Sequence, residues 1–154
     1  MRESVDLAEL YPLIAEVIEN GSEFRLYPRG TSMEPMLHAG DDSIMLGKAE
    51  AIDNGDILFY RRKNGDFVVH RLIEKRNGTF TMCGDHQTAL EYGVTPKQVL
   101  AKVVGYYKGD TYHSMTEPEY LKYTTERVKR FPFYRRNPAI YKLMKKIKRM
   151  FKKS

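Results

Sequence analysis

The sequence predicts a mostly β, antiparallel domain with an amphipathic helix near its start and a basic helix near its end. Three observations carry that expectation. Asn64-Gly65 and Asn77-Gly78 separate three successive runs rich in β-branched and aromatic residues. Residues 5–19 repeat apolar side chains at helical steps. Charge divides sharply near residue 120. Residues 1–119 hold 13 Lys+Arg against 19 Asp+Glu, and residues 120–154 hold 13 Lys+Arg against a single acid, Glu126. These features divide the chain into an N-terminal helix (1–22), a β body (23–116) and a basic, partly helical tail (117–154).

The 154 residues suffice for one domain with its own core. One cysteine excludes an internal disulfide framework and a cysteine-based zinc site.

In the first helix, Leu7, Leu10, Ile14, Val17 and Ile18 form the apolar stripe. Asp6 is the expected cap, Pro12 falls in the early turns, and Asn20-Gly21 is the stop. Residues 23–28 alternate as a short strand, and 43–48 read as another. Then come 57–63, 66–76 and 79–83, a three-stranded meander turned by the two Asn-Gly pairs. Residues 98–108 add a further strand, turning at Gly109-Asp110. Residues 117–131 are expected to form a short helix. Asn137-Pro138 then opens another, with Ile140, Leu143, Met144, Ile147, Met150 and Phe151 on one face and lysines and arginines on the other.

Three short segments carry polar groups suited to chemistry. In Gly30-Thr31-Ser32-Met33-Glu34-Pro35, the glycine frees the backbone before a serine and the proline stiffens its exit. Such a serine can expose its hydroxyl and aim backbone N–H groups at an oxyanion. By spacing alone Ser32 is a loop serine. His70 shares a strand face with Val68 and Leu72, which by itself describes a core histidine or a general base of tuned pKa. Gly84-Asp85-His86 follows the neighbouring strand, and Glu91 lies further on; either acid is able to orient a histidine.

Taken together, these segments resemble the serine-peptidase group that joins type I signal peptidases with LexA-type self-cleaving repressors. Ser32-Met33-Glu34-Pro35 matches the group's Ser-Met-x-Pro segment, and Gly55-Asp56-Ile57-Leu58 its Gly-Asp-hydrophobic strand start. His70-Arg71 matches the His-Arg of the endoplasmic-reticulum and spore-former type, where most bacterial enzymes carry Lys-Arg. Gly84-Asp85 matches the Gly-Asp segment that follows. The likeness spans about residues 23–107. It implies a signal-peptidase/LexA-like antiparallel β fold and a serine endopeptidase acting through an acyl-enzyme. Ser32 would be the nucleophile and His70 the base. Asp85 ranks first and Glu91 second as the supporting acid. The backbone N–H groups of Ser32 and Thr31 would form the oxyanion hole. No metal or organic cofactor is implied. The substrate would be a peptide or precursor protein bound as an extended strand. The alternative is a non-catalytic, peptide-binding or regulatory relative.

Two departures stand out. The chain shows a soluble amphipathic helix where signal peptidases carry a membrane anchor, and it has a histidine where LexA-type proteins use a lysine base. No run approaches a membrane-spanning length, and residues 1–21 lack a signal-peptide pattern. The expected location is therefore the cytoplasm, peripheral on the inner face of the membrane. The stripe and cationic face of residues 138–153 point to an anionic membrane surface. Packing on the acidic body ranks second and nucleic acid third, since Tyr141 and Phe151 are too few for base stacking. His38, His86 and His113 show no metal-ligand spacing and read as surface or turn residues.

Overall fold

Over residues 6–136 the computed structural model has a helix, eight strands with a 3-10 turn (Pro96–Gln98) before the seventh, and a second helix. It describes residues 6–136 and, beyond them, positions 139, 142, 143, 146, 147, 149 and 150. Helix α1 (Leu7–Glu19) is capped by Asp6, whose carboxylate accepts from the Ala8 N–H at 3.0 Å. It stops at Asn20 and Gly21, where a positive φ of 80° suits glycine. The strands are β1 (Phe24–Leu26), β2 (Ser43–Gly47), β3 (Ile57–Arg61), β4 (Phe67–Arg76), β5 (Thr79–Cys83), β6 (Glu91–Val94), β7 (Val99–Lys108) and β8 (Thr111–Ser114). Helix α2 spans Pro118–Arg136.

All strand pairs are antiparallel, in the order β1-β2-β7-β3-β4-β5-β6, with β8 added to β7. The expected mostly β, antiparallel architecture is what the structure has. Two short strands, β6 and β8, lie where the sequence suggested loop and turn. The second helix runs to Arg136, past the expected end at 131. Of the expected basic helix, positions 139, 142, 143, 146, 147, 149 and 150 are helical. The rest of residues 138–153 lies outside the described residues.

Alternation along the strands supplies a core on each face of the sheet. Ile57 and Phe59 of β3 point to one face, joining Ile14 and Ile18 of α1, Met33, Met36 and Leu37 of the serine loop, and Tyr120 of α2. Leu58 and Tyr60 point to the other, joining Val68, Leu72, Phe80 and Met82. Both helices therefore belong partly to the body, although the charge boundary sets α2 apart.

Strand pairing leaves a gap that matters for the site. Strand β4 pairs with β3 over Phe67–Arg71, but with β5 only from Arg71 onward. Among the described residues, its other edge over Phe67–His70 has no partner strand, and neither does the outer edge of β1.

Candidate active site

The serine loop is anchored by its apolar residues. Met33, Met36 and Leu37 are buried in the core beneath α1. Gly30 adopts a φ of +77°, a conformation glycine takes without strain, and the chain then turns through residues 32–36. The loop after β5 holds Ser32 from the other side. The His86 N–H donates to the Ser32 carbonyl at 2.9 Å. Gly84 passes so close that an added Cβ would lie 2.5 Å from that carbonyl oxygen and 3.1 Å from the Ser32 Cβ. Glycine is required there by close approach, since its φ is ordinary. No hydrogen bond among the described residues uses the N–H of Thr31 or Ser32. These are the two N–H groups that the resemblance implies for an oxyanion hole.

His70 stands on β4, 5% exposed. Its Nδ1 lies 3.4 Å from the Tyr60 hydroxyl, and that hydroxyl donates to Glu91 Oε1 at 2.6 Å. Arg62 holds the same carboxylate, through Nε to both oxygens (3.3 and 3.1 Å) and Nη2 to Oε1 (3.1 Å). Burial depresses the His70 pKa to about 4, and the Arg62 charge adds to the effect against the opposing pull of Glu91 and Asp85. The imidazole is therefore neutral at pH 7, the state a general base needs. Burial, reinforced by Glu91, pushes the Tyr60 phenol well above its usual range, so it stays protonated. Burial raises the Glu91 pKa, but the bonds from Arg62 and Tyr60 outweigh it and hold the carboxyl low.

Asp85, expected first as the partner of His70, is bonded elsewhere. Its two oxygens accept from Arg71 Nε and Nη2, both at 2.8 Å, and Oδ2 also accepts from the Tyr123 hydroxyl at 3.0 Å. Asp85 and Arg71 are both buried. The reason is the strand alternation: Arg71 follows His70 and points to the opposite face. Glu91, expected second, is the acid connected to His70, and the connection runs through Tyr60. The sequence gives no signal for Tyr60 or Arg62, and Arg71 enters there only as part of the His-Arg segment.

Arg71 uses its whole guanidinium. Besides Asp85, Nη1 donates to the Gly55 carbonyl (2.8 Å), Thr124 Oγ1 (3.0 Å) and Tyr120 (3.4 Å), and Nη2 reaches Met36 Sδ (3.3 Å). One side chain thereby ties together the serine loop, the turn before β3, the Gly84-Asp85 loop and α2. That satisfies a buried charge and fixes the loops on which Ser32 is presented. Three of the resemblance motifs (Gly55-Asp56, Arg71 and Gly84-Asp85) meet in this cluster.

Ser32 and His70 line one cleft of about 590 Å³. Its walls come from β1 and the following Tyr27–Gly30, from Phe67–His70 of β4, and from Met33, Leu37 and Phe59. The two open strand edges thus flank it. No hydrogen bond joins the Ser32 hydroxyl to His70. A second hollow of about 680 Å³, lined by residues 86–91 with Met82, shares Arg62, His70 and Gln87 with the cleft. Among the described residues, no group of three or more His, Cys, Asp or Glu side chains converges as a metal site. No described helix is long and apolar enough to cross a membrane. No protein-family model matches the chain, and no curated protein sequence matches it either.

Proposed function

We propose that the chain is a serine endopeptidase of the signal peptidase-like kind, acting by acyl transfer between Ser32 and His70. The observation that carries this reading is that Ser32 and a buried, neutral His70, 38 positions apart in sequence, line the same cleft. His70 takes the Ser32 proton, Ser32 Oγ attacks the scissile carbonyl, and the N–H groups of Ser32 and Thr31 receive the oxyanion. His70 returns the proton to the leaving amine, and water releases the acyl group. The substrate is an extended peptide or precursor segment. The free edges of β1 and β4 offer it backbone hydrogen bonds, and the apolar walls offer side-chain pockets.

The test is labelling with a serine-directed acylating probe, read by intact mass. A single adduct on Ser32 that is lost in Ser32→Ala and in His70→Ala supports the reading. Full labelling in His70→Ala, or no labelling of folded wild type beside an active control enzyme, overturns it in favour of a non-catalytic peptide binder.

The tail supports a second element of the reading, reversible binding to an anionic membrane surface through residues 138–153. Leu143, Ile147 and Met150 follow helical steps and are 57%, 42% and 67% exposed. Lys142, Lys146 and Arg149 are exposed beside them. Each basic residue near such a surface contributes about 1 kcal/mol. Co-sedimentation with phosphatidylserine vesicles, abolished by high salt or by deleting residues 138–153, is the expected result. Equal sedimentation after the deletion overturns it.

A further inference from the structure

We infer that Tyr60 is the positioning residue that sets the tautomer of His70, and that Glu91 influences that tautomer only through it. The role assigned to that tautomer rests on the peptidase reading above; the tautomer itself does not.

One proton decides the tautomer. The Glu91 carboxyl is ionised, held by Arg62, and an ionised carboxylate only accepts hydrogen bonds. A phenol has a single proton. The 2.6 Å bond to Glu91 Oε1 takes it. Toward His70 the Tyr60 oxygen then offers only lone pairs. The ring nitrogen 3.4 Å away is Nδ1, so Nδ1 must carry the hydrogen of the neutral imidazole. Nε2 is left with its lone pair and makes no hydrogen bond among the described residues. It is the nitrogen free to take the Ser32 proton.

The register of the β3–β4 hairpin builds this arrangement. Leu58 lies opposite His70 and Tyr60 opposite Val68, so Tyr60 sits diagonally beside His70 on the same face. Tyr60 is fully buried, and its ring is 6.4 Å from that of His70, edge-on. A carboxylate bonded directly to His70 would favour the imidazolium and raise its pKa. A neutral phenol orients the ring without that full charge. The charged groups around His70 are Arg62, Glu91 and Asp85, with His86 in the neighbouring hollow wall.

The experiment is two-bond proton–nitrogen correlation NMR on the full chain with nitrogen-15-labelled histidine at neutral pH. Wild-type His70 is expected as the Nδ1–H tautomer. Tyr60→Phe keeps the ring in the core and removes the acceptor, so His70 should become a mixture of tautomers. Glu91→Leu changes a part-exposed side chain and leaves the fold intact. It frees the Tyr60 proton to turn toward Nδ1, and His70 should switch to the Nε2–H tautomer. A residue that served packing alone would move neither signal. Both variants should acylate Ser32 about 10²-fold more slowly, within the range a positioned base supplies. An Nε2–H tautomer in wild type, or an unchanged tautomer in Glu91→Leu, overturns the inference. A Tyr60- and Glu91-dependent tautomer in a chain that never acylates would uphold the inference while the peptidase reading fails.

Discussion

Replacing Gly84 with alanine tests whether the Gly84-Asp85 loop is what holds the candidate nucleophile in place. The added Cβ would lie 2.5 Å from the Ser32 carbonyl oxygen and 3.1 Å from both the Ser32 Cβ and Gln87 Oε1. Carbon–oxygen contacts under 3.0 Å essentially do not occur, so one partner must move by at least about 0.5 Å. The Gln87 side chain can swing away. The Ser32 carbonyl cannot do so freely, because it accepts from the His86 N–H at 2.9 Å. The backbone at Gly84 is in a conformation alanine adopts, so contact alone sets the cost. Overpacking of this kind costs about 1–3 kcal/mol, which lowers Tm by about 3–10 °C in a domain of this size. A misplacement near 1 Å costs about 10²-fold in rate, so a half-ångström shift should slow Ser32 acylation by about tenfold. Thermal melting and time-resolved intact-mass labelling read the two effects on one sample. Wild-type values for both would refute the clasp.

Other consequences follow from the same geometry. Asp85→Ala leaves the buried Arg71 charge unpaired and should cost about 3–5 kcal/mol, measured by urea unfolding, whereas Glu91→Leu should cost far less. Asp85→Leu combined with Arg71→Met should recover part of that loss, because it removes both charges together. His70 titrates near 4 when folded and near 6.5 when unfolded, so below pH 6.5 the unfolded chain binds the extra proton. Stability should therefore fall as pH drops from about 6.5 to 4, by roughly 3 kcal/mol, and His70→Gln should flatten that slope in pH-dependent melts. The acidic limb of Ser32 acylation should likewise lie well below pH 6.5; a midpoint at 6.5 would contradict the buried imidazole. Burial, with Asp85 nearby, raises the Cys83 thiol to about 12, so native protein should resist iodoacetamide at pH 8 and react only when unfolded.

Local signals in the sequence are enough for the class of fold, and they single out the two residues proposed to react. Alternation and turn residues are local signals, so the strands from β1 to β5 and β7 were legible. The Asn77-Gly78 turn formed as its residues dictate, with φ of 53° and 76° and Arg76 opposite Thr79. The charge boundary was legible as well, because it is composition alone.

Tertiary structure decided how those groups are wired. Asn64-Gly65 predicts a two-residue loop, which would pair His70 with Phe59. The chain instead closes a three-residue loop, with the Arg62 N–H on the Asp66 carbonyl and Gly65 at φ +99°. The pairing slips by one residue, Leu58 faces His70, and Tyr60 moves to the histidine's side. A slip of one exchanges the two faces of a strand, so no local pattern could have named Tyr60 as the neighbour of His70. Asp85 ranked ahead of Glu91 in sequence only by its match to the Gly-Asp segment, since both follow β5 closely. Only the packed structure separates them, since a buried Arg71 needs a full counter-charge and draws Asp85 to the opposite face.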